Sequence, residues 1–217
     1  CATTRVCDEA AAACLRVMTE DYGNPSSLHK KGMEAENILT SARRQIGKML
    51  GCDGDCVYFT GSATESNNLA ILGAAAANPR GGKTIVTTTV EHPSVAKTVD
   101  HLEEQGYTVR RIAPKPDGNF DPQDFLDAVD GDTLLLTFMM VNNEMGTVLP
   151  YQAVIPALKK KYPRLLIHMD AVQGFAKFPL SVKRLDIDLL TFSGHKLYAP
   201  KGIGVLYVKK GVRLNPV

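Results

Sequence analysis

Lys196 and Asp170 each follow an apolar run that is typical of a buried β-strand, residues 187–192 for the lysine and 165–169 for the aspartate. In open α/β sheets, ligands bind beyond the carboxyl ends of the strands, so both side chains would face one site. Pyridoxal phosphate (PLP) chemistry needs this pair of groups. The lysine amine forms a Schiff base with the cofactor aldehyde, and the carboxylate keeps the pyridine nitrogen protonated, so that the ring accepts electrons from a substrate carbanion. Burial and a nearby cation would both favour the neutral amine.

Residues able to bind a ligand follow five predicted strands directly, whereas the loops that enter these strands are mixed in composition. A single lysine near a strand end is most often a solvated surface residue, so the prediction depends on the convergence of all five strand ends. The residues that follow the strands are Gly61, Ser62, Ala63, Thr64, Glu91, His92, Asn142, Asn143, Glu144, Asp170, Gln173, Ser193, His195 and Lys196.

Residues 61–64 begin a predicted helix and are candidates for a phosphate-binding turn. The first turn of a helix presents free amide donors and a partial positive charge, and both attract an anion. The hydroxyl of Ser62 or Thr64 would add another donor. The same residues could instead form an ordinary helix cap with Glu65 in the first turn. Both interpretations are open at this point.

Five further residues could contact the cofactor from neighbouring strand ends. Ser193 and His195 could add contacts to the phosphate. His92 could stack on the ring face opposite the lysine, although a histidine there is also common as a plain helix-start residue. Gln173 could donate to the phenolic oxygen of the ring, and Asn143 could reach the same edge.

Strands and helices alternate along the chain. The predicted helices cover residues 34–50, 65–77, 93–105, 122–129 and 151–160, and the predicted strands cover 57–60, 84–88, 107–112, 134–140, 165–169, 187–192 and 203–208. Alternation with nearly continuous apolar strands is typical of a sheet covered on both faces and joined by right-handed crossovers. We therefore predict the α/β class, as a three-layer α/β/α sandwich with a mostly parallel seven-stranded sheet.

The composition is that of an ordinary globular protein. The 217 residues are 44% hydrophobic and 22% charged, which is enough for one large domain with a substantial core. A net charge of +2, with the basic residues scattered, gives no sign of nucleic-acid binding. No apolar run approaches the ~20 residues that span a bilayer. We expect a cytoplasmic protein that acts on neither nucleic acid nor membrane.

The five cysteines all lie in the first quarter of the chain, at Cys1, Cys7, Cys14, Cys52 and Cys56. An odd number of cysteines without a dense disulfide framework indicates that the protein works in a reducing compartment. Cys52 and Cys56 are four residues apart, but no second pair with zinc-ligand spacing accompanies them. We therefore predict no metal site and interpret all five as packing residues.

Several motifs occur in order and with suitable separations. They are YGNPSS at 22–27, TGSATESNN at 60–68, VEHP at 90–93, VNNEMG at 141–146, HMDAVQ at 168–173, SGHK at 193–196 and PKGIG at 200–204. Together they resemble the cysteine desulfurases, within the class V aminotransferase group of fold-type I PLP enzymes, over essentially the whole chain. PKGIG is more similar to the branch that feeds iron–sulfur cluster assembly and nitrogenase maturation than to its sister branch. Residues 61–62 read Gly-Ser where the family usually has Ser-Gly, a departure that concerns the backbone contact of Ala63.

The resemblance implies a role for each motif residue, with pyridoxal 5'-phosphate as the cofactor. Lys196 would be the Schiff-base lysine, Asp170 the partner of the pyridinium, and His92 the stacking residue and acid/base candidate. These three form the catalytic set. The implied cofactor-binding set is Ala63, Thr64, His92, Asn143, Asp170, Gln173, Ser193, His195 and Lys196.

The resemblance also implies the reaction and the partners. A cysteine desulfurase converts L-cysteine to L-alanine and leaves the sulfur on its own cysteine as a persulfide. The expected partners are a second copy of the chain, as a homodimer, and a sulfur-acceptor or scaffold protein. Two alternatives are a related class V enzyme, such as a selenocysteine lyase or an aminotransferase, and a non-catalytic truncated partner that binds PLP or dimerises.

Members of the family are longer than this chain, and their C-terminal part carries the nucleophilic cysteine and an arginine that binds the substrate carboxylate. We therefore expect a fragment that is inactive by itself and lacks the C-terminal small domain. Within it, residues 1–30 would form an N-terminal segment of the active-site and small-domain region, and residues 31–217 would form the PLP-binding large domain.

Overall fold

The computed structural model describes residues 2–216, so Cys1 lies outside the described residues. The helices are α1 (Asp8–Thr19), α2 (Lys30–Leu50), α3 (Ala63–Ala77), α4 (Pro93–Glu104), α5 (Pro122–Ala128), α6 (Tyr151–Lys161) and α7 (Val182–Leu185). The strands are β1 (Val57–Thr60), β2 (Thr84–Thr88), β3 (Thr108–Ile112), β4 (Thr133–Met139), β5 (Leu166–Asp170), β6 (Leu189–Ser193) and β7 (Gly204–Val208). The predicted alternation is confirmed. Helix α1 and the short α7 lie outside the predicted helix ranges.

The strands form one seven-stranded sheet in the order β1-β7-β6-β5-β4-β2-β3. All pairs from β6 through β3 are parallel, whereas β7 runs antiparallel to both β6 and β1. The prediction of a mostly parallel sheet is therefore confirmed. Because β7 runs in the opposite direction, its first residue, Gly204, lies at the edge where the parallel strands end.

Helices cover both faces of the sheet. Side chains of a strand alternate between its two faces, and Leu136 and Phe138 of β4 belong to the main core cluster, which includes α5 and α6. Leu135 belongs to a second cluster with residues of α3 and α4. On β5, Ile167 joins the main cluster. These contacts give the predicted three layers, with α3 and α4 on one face of the sheet.

Helix α2 begins at Lys30, four residues before the predicted start. The side chain of His29 caps it by accepting a hydrogen bond from the backbone nitrogen of Gly32 at 3.3 Å. Histidine is not among the residues that usually mark a helix start, so the true start of α2 could not be recognised from its residue type. The predicted end is confirmed, because Gly51 adopts a left-handed φ of 77° and stops the helix.

The cysteines differ in burial, which corrects part of the packing prediction. Cys52 and Cys56 are half-buried and pack against the main core cluster, as expected. Cys7 and Cys14 are exposed, so their assignment as packing residues is wrong. The reason is that no residue of α1 is buried.

A buried polar group lies in the middle of the sheet on the face that α3 and α4 cover. His168 of β5 is fully buried, and its two ring nitrogens contact the hydroxyls of Thr137 at 2.8 Å and Thr191 at 3.2 Å. Burial lowers the pKa of His168 to about 3. The ring is therefore neutral in the folded protein at neutral pH.

The depressed pKa of His168 predicts a loss of stability in mild acid. Its stabilising contribution is fully present above the unfolded pKa of about 6.5 and is lost as pH falls towards about 3. Each pH unit in that window lowers the free energy of unfolding by up to ~1.4 kcal/mol, because only the unfolded chain binds the proton. Urea unfolding of the wild type and of His168→Gln between about pH 6.5 and pH 4 measures this slope.

The comparison between variants matters because other buried groups, such as Glu91, also change their protonation on unfolding. We expect His168→Gln to be less stable than the wild type at neutral pH and to lose less stability on acidification. His101→Gln, a change at an exposed histidine, should keep the wild-type slope. Equal slopes for the wild type and His168→Gln would show that His168 is not the responsible group.

Candidate active site

A cavity of about 700 Å³ lies at the carboxyl edge of the sheet. This volume is within the usual range for small-molecule and cofactor sites. The nine predicted cofactor-site residues all line it, and they are Ala63, Thr64, His92, Asn143, Asp170, Gln173, Ser193, His195 and Lys196.

The topology explains why residues so far apart in sequence meet here. Five strands each carry one of these residues at or just after their carboxyl end. They are β1 with Thr64, β2 with His92, β4 with Asn143, β5 with Asp170 and β6 with Lys196. These strands all point the same way, so their carboxyl ends form one edge. The antiparallel β7 starts at that same edge.

The start of α3 is capped, and it also presents backbone donors to the cavity. The Ser62 hydroxyl caps the helix by accepting from the backbone nitrogen of Glu65 at 3.1 Å, and the Glu65 carboxylate accepts from that of Gly61 at 2.7 Å. Within residues 2–216, the backbone nitrogens of Ala63 and Thr64 have no hydrogen-bond acceptor. The cap therefore leaves two amide donors at the cavity for an anion.

Gly204 allows the last strand to pass directly against this helix start. A Cβ atom on Gly204 would lie 2.3 Å from the carbonyl carbon of Ser62 and 2.5 Å from Oγ1 of Thr60. Both distances are far below ordinary contact, and one of the two atoms belongs to the backbone. The glycine therefore determines how closely β7 and the beginning of α3 can approach.

Asp170 is the buried charge of the site, with 6% of its surface exposed. Its Oδ1 accepts from the backbone nitrogen of Val172 at 3.0 Å, and its Oδ2 accepts from Nδ2 of Asn67 at 2.9 Å. Burial raises the pKa of Asp170, whereas these hydrogen bonds and the charges of His92 and Lys196 oppose the rise. A cationic group placed beside the carboxylate would favour its ionised form.

Lys196 ends the 3-10 helix Gly194–Lys196, which follows β6 directly. Its pKa is lowered by burial and by the positive charge of Lys177, while Asp170 opposes the shift. Burial and a nearby cation are also the two effects that the sequence predicts would favour the neutral amine of Lys196. The Lys196 amine also donates a hydrogen bond to the carbonyl oxygen of Ala2 at 2.7 Å.

The N-terminal segment reaches the cavity and was not among the predicted site residues. Ala2 and Thr3 line the cavity, and Oγ1 of Thr3 lies 3.2 Å from Nδ1 of His195. The backbone nitrogen of Thr4 donates to the carbonyl oxygen of His195 at 2.8 Å. These contacts join residues almost 200 positions apart, so local patterns in the sequence could not reveal them.

His92 both caps α4 and lines the cavity. Its Nδ1 accepts from the backbone nitrogen of Ser94 at 3.1 Å and lies 2.8 Å from the Ser94 hydroxyl. Ser94 also lines the cavity, and Asn67 is fully buried behind it. Neither Ser94 nor Asn67 was among the predicted site residues. Asn67 lies in the TGSATESNN motif, which was the only available signal.

Two polar residues that follow strands serve the scaffold instead of lining the cavity. Glu91 is buried, and its Oε1 accepts from the Thr88 hydroxyl at 2.5 Å and from the backbone nitrogen of Met139 at 3.1 Å. Burial raises the pKa of Glu91 to about 8. Asn142 donates to the carbonyl oxygen of Val90 at 3.0 Å. Both residues tie the loop after β2 to the end of β4.

Cys52 and Cys56 line a different cavity of about 460 Å³, among residues that precede β1 and β6. They are therefore at the opposite edge of the sheet from Lys196. Burial raises the pKa of the Cys52 thiol to about 11 and also raises that of Cys56. Thiols with raised pKa values are poor nucleophiles at neutral pH. Within residues 2–216, no group of His, Cys, Asp and Glu side chains has a metal-binding arrangement.

The aminotransferase class-V family model matches residues 1–217, and the chain belongs to this family. The cysteine desulfurase of Trichormus azollae is 42% identical over 216 residues, which are 100% of this chain and 53% of that protein. The chain thus spans about half the length of the curated relatives it matches. Class V aminotransferases and cysteine desulfurases are PLP-dependent, which agrees with the predicted cofactor.

Two solved structures have the same fold. A NifS-like protein has a TM-score of 0.96 at 38% identity and is matched over 100% of this chain and 59% of its own. SspA in complex with cysteine has a TM-score of 0.94 at 35% identity, over 100% of this chain and 62% of its own. These matches confirm the predicted fold class. No helix within residues 2–216 is long and apolar enough to cross a membrane.

Gly204→Ala tests whether the close approach of β7 shapes the anion-binding turn. The new methyl group would displace the backbone at Ser62, so we expect a loss of ~1–3 kcal/mol in the free energy of unfolding and a weaker affinity for PLP. Gly131→Ala is the matched control, because a Cβ atom there meets nothing within 4 Å. Urea unfolding and PLP titration of both variants measure the effects. Equal behaviour of the two variants would contradict this role of Gly204.

Proposed function

We propose that this chain is the PLP-binding part of a cysteine desulfurase. The observation that carries the proposal is the convergence of three groups on one cavity, namely the Lys196 amine, the Asp170 carboxylate and the amide donors at the start of α3. An amine, a buried carboxylate and an anion-binding turn match the aldehyde, the pyridine nitrogen and the phosphate of PLP. Bound PLP supplies an electron sink for a substrate carbanion.

The chemistry of the donors supports a fit to PLP. The buried carboxylate of Asp170 has a raised pKa, and a ring N–H in the cavity would provide the positive partner that favours the ionised form. Ala63 and Thr64 offer backbone donors to an anion. Ser193 also lines the cavity and adds a hydroxyl.

The remaining residues would orient the cofactor and move protons. Lys196 would be the nucleophile for covalent attachment, since burial and Lys177 favour its neutral amine. His92 would stack on the ring and act as the acid/base group. Gln173 and Asn143 would contact the phenolic edge. His195 would complete the phosphate site with Thr64, Ser193 and the α3 start.

The substrate that we propose is L-cysteine, with L-alanine and an enzyme-bound persulfide as products of the whole protein. The names of the relatives support this choice, because they include cysteine desulfurases and a structure in complex with cysteine. We further propose a homodimer that passes sulfur to an acceptor or scaffold protein of iron–sulfur cluster assembly. An odd number of cysteines without a dense disulfide framework supports a reducing, cytoplasmic setting.

We also propose two parts within the chain. Residues 31–217 would form the PLP-binding large domain, and residues 1–30 would belong to the active-site and small-domain region. The difference in burial supports this division: no residue of α1 is buried, whereas α2 to α7 each bury at least one residue. Leu28, near the boundary, is 97% exposed.

Capture of the cofactor on Lys196 is the first test. The protein incubated with PLP should develop a visible absorbance band, and reduction with borohydride should leave the pyridoxyl group on the peptide that contains Lys196. Lys196→Ala should abolish the capture, and the surface change Lys160→Ala should not affect it. Peptide mass spectrometry locates the modification. Capture on Lys201, which also lines the cavity, would refute the assignment, as would no capture in folded protein.

The cysteines provide a second test. We propose, as the family resemblance implies, that the sulfur-accepting cysteine lies outside these 217 residues. Cys52 and Cys56 face another cavity and have raised pKa values. The chain should therefore form no alanine or sulfide from L-cysteine with a reductant, although it binds PLP. A version extended through the remaining half should be active. Turnover by the short chain that one Cys→Ser change removes would contradict the proposal.

A further inference from the structure

Asn67 is a fully buried residue of α3 that bridges two parts of the site. Its Nδ2 atom donates to Oδ2 of Asp170 at 2.9 Å and to Oγ of Ser94 at 2.9 Å. An amide nitrogen carries two hydrogens, so both are used. Within residues 2–216, its Oδ1 atom is buried without a hydrogen-bond partner. The side chain therefore donates in two directions and accepts in none.

The carboxylate determines which way this amide points. If the side chain were flipped, Oδ1 would face Oδ2 of Asp170, and two acceptors would oppose each other. The unpaired Oδ1 is costly in a buried place. The amide of Asn67 leaves its oxygen unpaired because its nitrogen must face the carboxylate of Asp170.

The hydrogen bonds continue from Asn67 to His92 with a defined direction. Because Oγ of Ser94 accepts from Asn67, its own hydrogen is available for Nδ1 of His92 at 2.8 Å. The backbone nitrogen of Ser94 can only donate, and it also bonds to Nδ1 at 3.1 Å. Nδ1 is therefore an acceptor twice over, and the ring proton belongs on Nε2.

We propose that Asn67 is a positioning residue that holds the Asp170 carboxylate and, through Ser94, the ring of His92, so that both sides of the cofactor site depend on one buried amide. Asp170 and His92 lie at the two ends of this hydrogen-bonded network. Their importance rests on the proposed function, in which both act on the cofactor. The hydrogen-bonded network itself consists only of residues of this chain. The other titratable groups that act on Asp170 are Glu91 and Lys196.

The neighbouring Asn68 provides a matched control. It lies on the same helix, and its Oδ1 accepts from the hydroxyl of Thr98 on α4. Asn68 thus also ties α3 to α4, but it does not line the cavity. A residue that only packs the two helices together would behave like Asn68.

The experiment is nuclear magnetic resonance of the protein without PLP. The carboxyl carbon of Asp170 reports the pKa of that group during a pH titration, and the ring nitrogens of His92 report its hydrogen bonds. Asn67→Ala should raise the pKa of Asp170 and shift the Nδ1 signal of His92. Ser94→Ala should shift the Nδ1 signal and leave the pKa of Asp170 unchanged. Asn68→Ala should alter neither.

Two results would overturn the proposal. One is an Asn67→Ala variant in which the pKa of Asp170 and the Nδ1 signal of His92 both equal those of the wild type. The other is a Ser94→Ala variant in which the pKa of Asp170 changes as much as it does in Asn67→Ala. If Asn67→Ala does not fold, Asn67→Asp keeps the shape and replaces the donor by an acceptor, so it should raise the pKa of Asp170 as well. Failure of the wild type to bind PLP would count against the proposed function and leave these outcomes intact.

Discussion

The buried carboxylate of Asp170 is the feature on which the arrangement of the site depends. A buried ionised carboxylate is expensive unless hydrogen bonds and positive charge compensate it. It lies at the end of the central strand β5, and its hydrogen-bond donors come from α3 and from the backbone after the strand. Lys196, from the end of β6, acts on it as well. The sheet, α3 and the segment that carries Lys196 therefore converge on one buried carboxyl group.

The same helix starts that stabilise the fold also form the site. Ser62 and His92 cap α3 and α4, and each satisfies a backbone donor that would otherwise be unpaired. The caps leave other groups directed at the cavity, namely the amides of Ala63 and Thr64 and the ring of His92. Each of these helix starts therefore combines a structural cap with groups that face the cavity.

Much of the fold and of the site could be predicted because two short-range rules apply strongly here. Apolar strands alternate with amphipathic helices, and ligands bind where parallel strands end. Together these rules predict Lys196, Asp170 and His92 at one edge. They also place Asn143 and Gln173 among the candidate residues, and the family motifs support that choice.

The features that escaped prediction depend on contacts between distant parts of the chain. Ala2 and Thr3 reach the cavity through hydrogen bonds to a loop near the other end of the sequence. Asn67 is one of two adjacent asparagines, and only packing decides which of them faces Asp170. The exposure of Cys7 and Cys14 follows from the absence of a packing partner for α1 within residues 2–216.

We propose that this edge of the sheet is a PLP site built around Asp170 and Lys196. A crystal structure of the protein grown with PLP is the decisive experiment. We expect continuous density from the cofactor to Lys196, the ring nitrogen within hydrogen-bonding distance of Asp170, and the phosphate at the amides of Ala63 and Thr64. A cofactor attached to another lysine, or bound with its phosphate towards Asp170, would contradict it.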